Sequence, residues 1–221
     1  MKKKGTLYLV QMALLVAIII LMAFTPIGYI RMPGVEITLI VVPVAVGAVL
    51  MGPAGGAILG GVFGITSFIQ CFGMSALGVQ LLAINPVLTF LVCVPTRILA
   101  GWIAGLVFAG LKKKRLTHQV EDGEGKVVYK VYRIYPKNLP YYAANLACPI
   151  CNTIFFTATL CLFFFQTDYI QGLAGGRSVL AFVAFFVGFN GLVEAIACFV
   201  VGTAISRILA QVLRNTSASE V

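Results

Sequence analysis

Six stretches of nearly uninterrupted apolar sequence constrain this chain more than any other feature. They run roughly over Thr6–Phe24, Ile37–Met51, Ala54–Phe72, Val87–Leu111, Tyr141–Phe165 and Val179–Ile205. A helix crossing a hydrocarbon layer needs about 20 mainly apolar residues. The second stretch is short and can join the third as a tight helical hairpin through Gly52-Pro53. Internal Gly and Pro are tolerated in such helices because neighbouring helices re-satisfy the backbone. Apolar residues make up 60% of the 221 and charged residues 10%, against about 45–50% and 25% in soluble domains. Most of this surface therefore cannot face water, which excludes a soluble domain, a disordered chain and a disulfide-stapled module. The ten-residue alternation of a membrane barrel is absent. The expectation is an all-α integral membrane protein, one domain over residues 1–221, with six transmembrane helices and a loop over residues 112–140.

The formal charge of +9 reads as topology rather than nucleic-acid binding. Lys2, Lys3 and Lys4 precede the first helix. Lys112, Lys113, Lys114, Arg115, Lys126, Lys130, Arg133 and Lys137 lie between the fourth and fifth, and Arg207 and Arg214 follow the sixth. Thirteen of the sixteen basic residues thus fall on one side of a six-span chain, with Arg31 and Arg177 opposite and Arg97 inside a helix. The positive-inside rule makes both termini and the 112–140 loop cytoplasmic. The first apolar run is too long for a signal peptide and lacks a small-x-small cleavage site, so it is expected to stay as a helix. Within the loop, Leu116–Val120 and the Val- and Tyr-rich Lys126–Tyr135 flank an acidic Gly-containing turn, which predicts a small cytoplasmic β-hairpin. Lys112–Arg115 at the membrane edge suits anionic headgroups.

Ala48, Gly52, Gly56, Gly60 and Gly64 recur every four residues, and Gly101, Gly105 and Ala109 repeat the pattern on the fourth helix. Such ridges bring helix backbones close in lipid. Ala13 and Ala17 form another small pair, facing either the bundle or another protein. Polar residues within spans are costly and informative. Arg97 lies about 15 Å into the fourth helix and Glu194 about 20 Å from the cytoplasmic edge on the sixth, at 1.5 Å per residue. An unpaired charge at that depth costs several kcal/mol, so the two are expected to form a buried ion pair. Asn190, Asn152 and Thr153 reach similar depth, so the last three spans meet at one polar cluster. That cluster serves either to hold the bundle together or to touch a ligand, with Asn152 and Asn190 the better ligand candidates.

Cys71, Cys93, Cys148, Cys151, Cys161 and Cys198 all sit in apolar sequence, where a thiol behaves as a small hydrophobe. Cys148-Pro149-Ile150-Cys151 has redox spacing, which leaves a membrane thiol oxidoreductase as an alternative. Cys71 stands alone near the outer end of its helix, and no metal site is expected because the single His118 is in the loop. No intramembrane protease motif and no Gly-x-x-x-x-Gly-Lys-Ser/Thr loop occur, so any ATP must be hydrolysed elsewhere. A stand-alone carrier with Glu194 moving the proton is a further alternative. Phe163, Phe164 and Phe165 read as lipid-facing anchorage.

The residues from Ile40 to Pro53, then Gly56–Gly60 and Phe63–Ser67, resemble helices two and three of the substrate-binding (S) components of energy-coupling factor vitamin transporters. Pro95-Thr96-Arg97-Ile98-Leu99-Ala100-Gly101, Asn152-Thr153, Asn190 with Glu194, and Ala13-x-x-x-Ala17 are similar to that family's motifs on helices four, five, six and one. The loop over 112–140 and the two cysteines beside Asn152 depart from the pattern. The resemblance implies a non-enzymatic subunit of a bacterial plasma membrane importer with no cofactor of its own. It would capture a water-soluble vitamin from outside, dock through Ala13 and Ala17 onto a membrane coupling subunit with two ATPases, and topple to release its cargo. Loops Tyr29–Val35 and Met74–Asn85 would cover the pocket, with Tyr29, Arg31, Gln80 and Asn85 as ligand contacts. The wording is closest to the pantothenate-type members, with cobalamin, riboflavin and folate types as alternatives.

Overall fold

The structure, a computed structural model, describes residues 2–26, 28–32, 35–113, 115–121, 127–133, 136, 138–176, 178–186 and 191–218. In chain order it contains α1 (Lys2–Ala23), strands β1 (Tyr29–Met32) and β2 (Val35–Thr38), α2 (Val41–Gln70), α3 (Ala76–Ile84) and α4 (Pro86–Lys113). Strands β3 (Arg115–Glu121) and β4 (Val127–Arg133) follow, then α5 (Leu139–Phe164), α6 (Asp168–Ala174) and α7 (Val179–Phe186). The chain closes with α8 (Leu192–Ala197), a π-helical turn (Cys198–Gly202) and α9 (Thr203–Ala218). Both strand pairs are antiparallel hairpins, with Tyr29 opposite Thr38 in the first and Arg115 opposite Arg133 in the second.

α2 folds back on itself. Gly52 has φ 79° and ψ −168°, a backbone that a side chain strongly disfavours, and Pro53 restarts the helix at its first turn. A Cβ on Gly56 would lie 2.9 Å from the Ala48 Cβ, and one on Gly47 would collide with the Leu59 side chain. Eight and twelve residues along a straight helix would separate these pairs by about 12 and 18 Å. Residues 41–51 and 53–70 are therefore antiparallel legs.

Five helices among the described residues are long and apolar enough to cross a membrane: Gly5–Ala23, Val41–Gln70, Pro86–Lys112, Leu139–Phe164 and Leu192–Val212. This count, which takes the two legs of α2 as one helix, does not support the expectation of six. Ile37 and Thr38 belong to β2, so the helix begins only at Val41, and its first leg rises about 16 Å against a hydrocarbon layer of ~30 Å. The stretch expected at Val179–Ile205 is observed as α7, α8 and the π turn leading into α9. Asn190 lies outside the described residues.

The second leg of α2 packs on α4 backbone to backbone. Gly56 faces Gly101 and Gly60 faces the Arg97 carbonyl, while a Cβ on Gly64 would sit 2.8 Å from the Val94 Cα. Removing Cβ at these positions allows the close approach that replaces the hydrophobic effect inside lipid. Leu15, Ile19 and Ala23 bury α1 against Val41, Val44, Ala45 and Leu59 of α2. At the end where α2 gives way to α3, Leu81, Val92, Leu160, Phe164, Ile170 and Ala174 form a second core. Phe164 is fully buried there, which corrects its expected lipid exposure: α6 turns back after α5 and covers it. Elsewhere large apolar side chains such as Leu9, Leu14, Leu162, Leu192 and Ile208 face outward, as hydrocarbon surroundings require.

Candidate functional site

One cavity of about 260 Å³ lies between α2, α3, α4, α5, α6 and α8. Tyr29 and Thr38 close it from the first hairpin, and Leu77, Gly78 and Leu81 from α3. Its polar wall holds Ser67, Gln70, Arg97, Asn152, Thr153, Thr157 and Glu194.

Arg97 is held by the turn of α4 that precedes it. Pro95 has no N–H to donate and its ring crowds the preceding turn. In the same segment the Val92 carbonyl accepts from Thr96 Oγ1 at 2.6 Å and from Arg97 Nη1 at 3.2 Å, and the Cys93 carbonyl accepts from Nη1 at 2.9 Å. The guanidinium lies 4.9 Å from the Phe63 ring centre and 5.1 Å from that of Phe156, an arrangement that favours the cation. Its Nε is buried and has no partner.

Glu194 is 4% exposed. Its Oε1 accepts from the Thr38 backbone N–H at 3.0 Å and its Oε2 from Thr153 Oγ1 at 3.4 Å; the Asn152 side chain also donates toward it. That fixes the amide orientation, since only Nδ2 can donate. Asn152 Oδ1 is left buried and unpartnered, and so is Thr157 Oγ1 one turn and a half further along α5.

Arg97 and Glu194 thus share a cavity, but no direct ion pair joins them among the described residues. Each charge has found other partners: backbone carbonyls and aromatic faces for the cation, a backbone N–H and a hydroxyl for the anion. The expected contact is corrected accordingly.

Of the other expected residues, Tyr29 and Asn152 line the cavity. Gln80 does not; it is exposed on α3. Asn85 caps α4, its Oδ1 accepting from Val87 N–H at 3.0 Å and Leu88 N–H at 3.1 Å. Arg31 stands opposite Glu36 in the first hairpin, its side chain outside the described residues. Ala13 and Ala17 are exposed on α1 rather than packed within the bundle. Sequence reasoning missed Ser67, Gln70, Thr157 and Tyr169. Gln70 carried a signal: it is the one amide in the third apolar stretch, and its side chain donates to the Ala23 carbonyl, tying α2 to the end of α1.

A helical membrane bundle with a partly enclosed cavity that carries a cluster of polar side chains suits capture of a small molecule. The family model for the ECF transporter substrate-specific component matches residues 7–206. The chain belongs to this family. S components are subunits of transporters rather than enzymes; they bind a small-molecule substrate and dock with a membrane ECF module. No curated protein sequence matches the chain. In this S component the cavity is bounded by the first hairpin and by α3 as well as by the long spans.

Proposed function

We propose that this S component captures pantothenate in the cavity around Arg97, Asn152 and Glu194, and delivers it inward through a coupling subunit driven by two ATPases. The observation that carries the reading is the set of buried unpartnered groups on cavity residues: Arg97 Nε, Asn152 Oδ1 and Thr157 Oγ1. Each such group costs about 1–3 kcal/mol unless something satisfies it. A bound carboxylate suits the Arg97 side, and hydroxyl or amide donors suit Asn152 and Glu194. Pantothenate carries a carboxylate at one end, two hydroxyls at the other and an amide between. Pockets for drug-sized ligands span ~300–1,000 Å³, so a cavity of about 260 Å³ favours the smallest candidate over riboflavin, folate or cobalamin.

The basic residues at the α4 end and in the β3–β4 hairpin support a cytoplasmic placement of that hairpin and of both termini, in a bacterial plasma membrane. Exposed Ala13 and Ala17 support α1 as the docking face. The Cys148/Cys151 oxidoreductase alternative gains no support: Cys148 is 1% exposed and neither thiol lines the cavity. Mass spectrometry of small molecules released from the purified protein, followed by calorimetric titration, tests the reading. Pantothenate should be released and should rebind. Release of a different vitamin, or uptake by reconstituted protein without any ATPase, would overturn it.

A further inference from the structure

Cys71 and Cys93 are 22 residues apart in sequence, yet their sulfurs lie 4.0 Å apart. Both side chains are 4% exposed and both line the cavity. Cys71 follows the last turn of α2, and Cys93 sits one turn before Arg97 on α4. The Cys71 thiol also lies 3.4 Å from the Ser67 carbonyl, to which it donates. None of the described cysteines is in a disulfide.

We infer that Cys71 and Cys93 form an oxidisable dithiol in the cavity wall, which a small disulfide reaching the cavity converts to an intramolecular cystine joining α2 to α4. A disulfide needs its sulfurs about 2.05 Å apart, so each must move about 1 Å. The reaction balances as a thiol–disulfide exchange. One cysteine thiolate attacks the oxidant, releasing its first thiol and forming a mixed disulfide. The second cysteine sulfur then displaces the remaining half. Two protein S–H bonds and one oxidant S–S bond break, one protein S–S bond and two oxidant S–H bonds form, and two electrons pass to the oxidant. Gly78 of α3 packs close to Cys71: a Cβ there would lie 2.7 Å from its sulfur. Movement of that sulfur is therefore felt by the helix that walls the cavity, and the bond acts as a redox-sensitive lock on it.

The test uses the full wild-type chain in detergent, treated with 2-hydroxyethyl disulfide, blocked with an alkylating reagent and mapped by peptide mass spectrometry. A Cys71–Cys93 cross-linked peptide should form, disappear with dithiothreitol and be absent from Cys93→Ser. The oxidised protein should unfold several degrees higher than the reduced protein, because the bond constrains the unfolded chain. Mixed disulfides stopping at either cysteine without linkage would overturn the inference, as would reaction confined to Cys151 or Cys161. A linkage that leaves the unfolding midpoint unchanged would also overturn it, since the bond would then not join native elements. No vitamin enters this experiment, so its failure is separate from failure of the pantothenate reading.

Discussion

Gly60 and Gly61 are neighbours on α2, and the structure assigns them opposite responses to alanine. A Cβ on Gly60 would collide with the Arg97 carbonyl oxygen and lie 2.9 Å from its carbon and 3.2 Å from the Ile98 Cα. All three are backbone atoms of a helix held by its own hydrogen bonds, so none can yield cheaply. Overpacking of this kind costs about 1–3 kcal/mol, and the helix-propensity gain of Gly to Ala returns at most about 1. Gly60→Ala should therefore destabilise by up to about 2 kcal/mol. A Cβ on Gly61 meets only the Ile98 side chain, at 3.6 and 3.8 Å, an ordinary contact. Gly61→Ala should be neutral or gain up to about 1 kcal/mol. Thermal unfolding in one detergent, scored on both variants and the wild type, reads the difference directly. Because Gly60 lies against Arg97, Gly60→Ala should also weaken pantothenate binding, whereas Gly61→Ala should not. Equal midpoints for the two variants, or a more stable Gly60→Ala, would refute the backbone packing of α2 on α4.

Five further substitutions, at four positions, separate structural from ligand roles. Glu194→Ala leaves the buried Thr38 N–H without an acceptor and should cost about 1–3 kcal/mol, while Glu194→Gln keeps an oxygen there and should cost less; the reverse order in denaturation would discard the Thr38 contact as a support for the first hairpin. Asn152→Leu removes the unpartnered acceptor together with the donor toward Glu194, so stability should fall by about 1–3 kcal/mol while pantothenate affinity falls about 5- to 150-fold, the equivalent of about 1–3 kcal/mol; unchanged affinity by calorimetry would remove Asn152 from the binding site. Asn85→Ala deletes the α4 cap and should lower stability by about 0.5–2 kcal/mol with affinity intact, and Gln80→Ala should alter neither; a selective loss of affinity in either would restore that residue as a ligand contact.

The membrane class, the hairpin bend at Gly52-Pro53 and the glycine ridge facing α4 were legible because each depends on local chemistry: apolar run length, backbone permissiveness and i, i+4 spacing. The site was legible only in its spans. Arg97, Asn152, Thr153 and Glu194 stood out since polar groups in apolar sequence are conspicuous. What failed was inference about loops, where spacing carries no depth. The Tyr29–Val35 loop was expected as a cover, but nothing in the sequence announced that Thr38, expected inside the second helix, reaches the Glu194 carboxylate from a strand and shortens the first leg of α2. Gln80 and Asn85 were chosen for polarity alone, and the structure gives one to the exposed side of α3 and the other to a helix cap.

The Arg97–Glu194 expectation failed for a more general reason. Depth and burial require that each charge be satisfied, but they do not name the partner. The Val92 and Cys93 carbonyls of the preceding turn lie within reach of the guanidinium, so α4 itself can hold it. Glu194 receives a backbone N–H from a hairpin 156 residues away in sequence, which no local pattern announces. The consequence bears on substrate capture. A contact ion pair would have filled the middle of the cavity and would have to break before a ligand entered. Two charges anchored separately in the cavity lining meet a ligand with an anionic end and donor groups without first losing a contact between themselves. A charge-reversed pair, Arg97→Glu with Glu194→Arg, should therefore fail to restore binding, because each side chain depends on different fixed partners. Recovery of wild-type affinity in that double variant would show that the two residues act as an interchangeable pair after all.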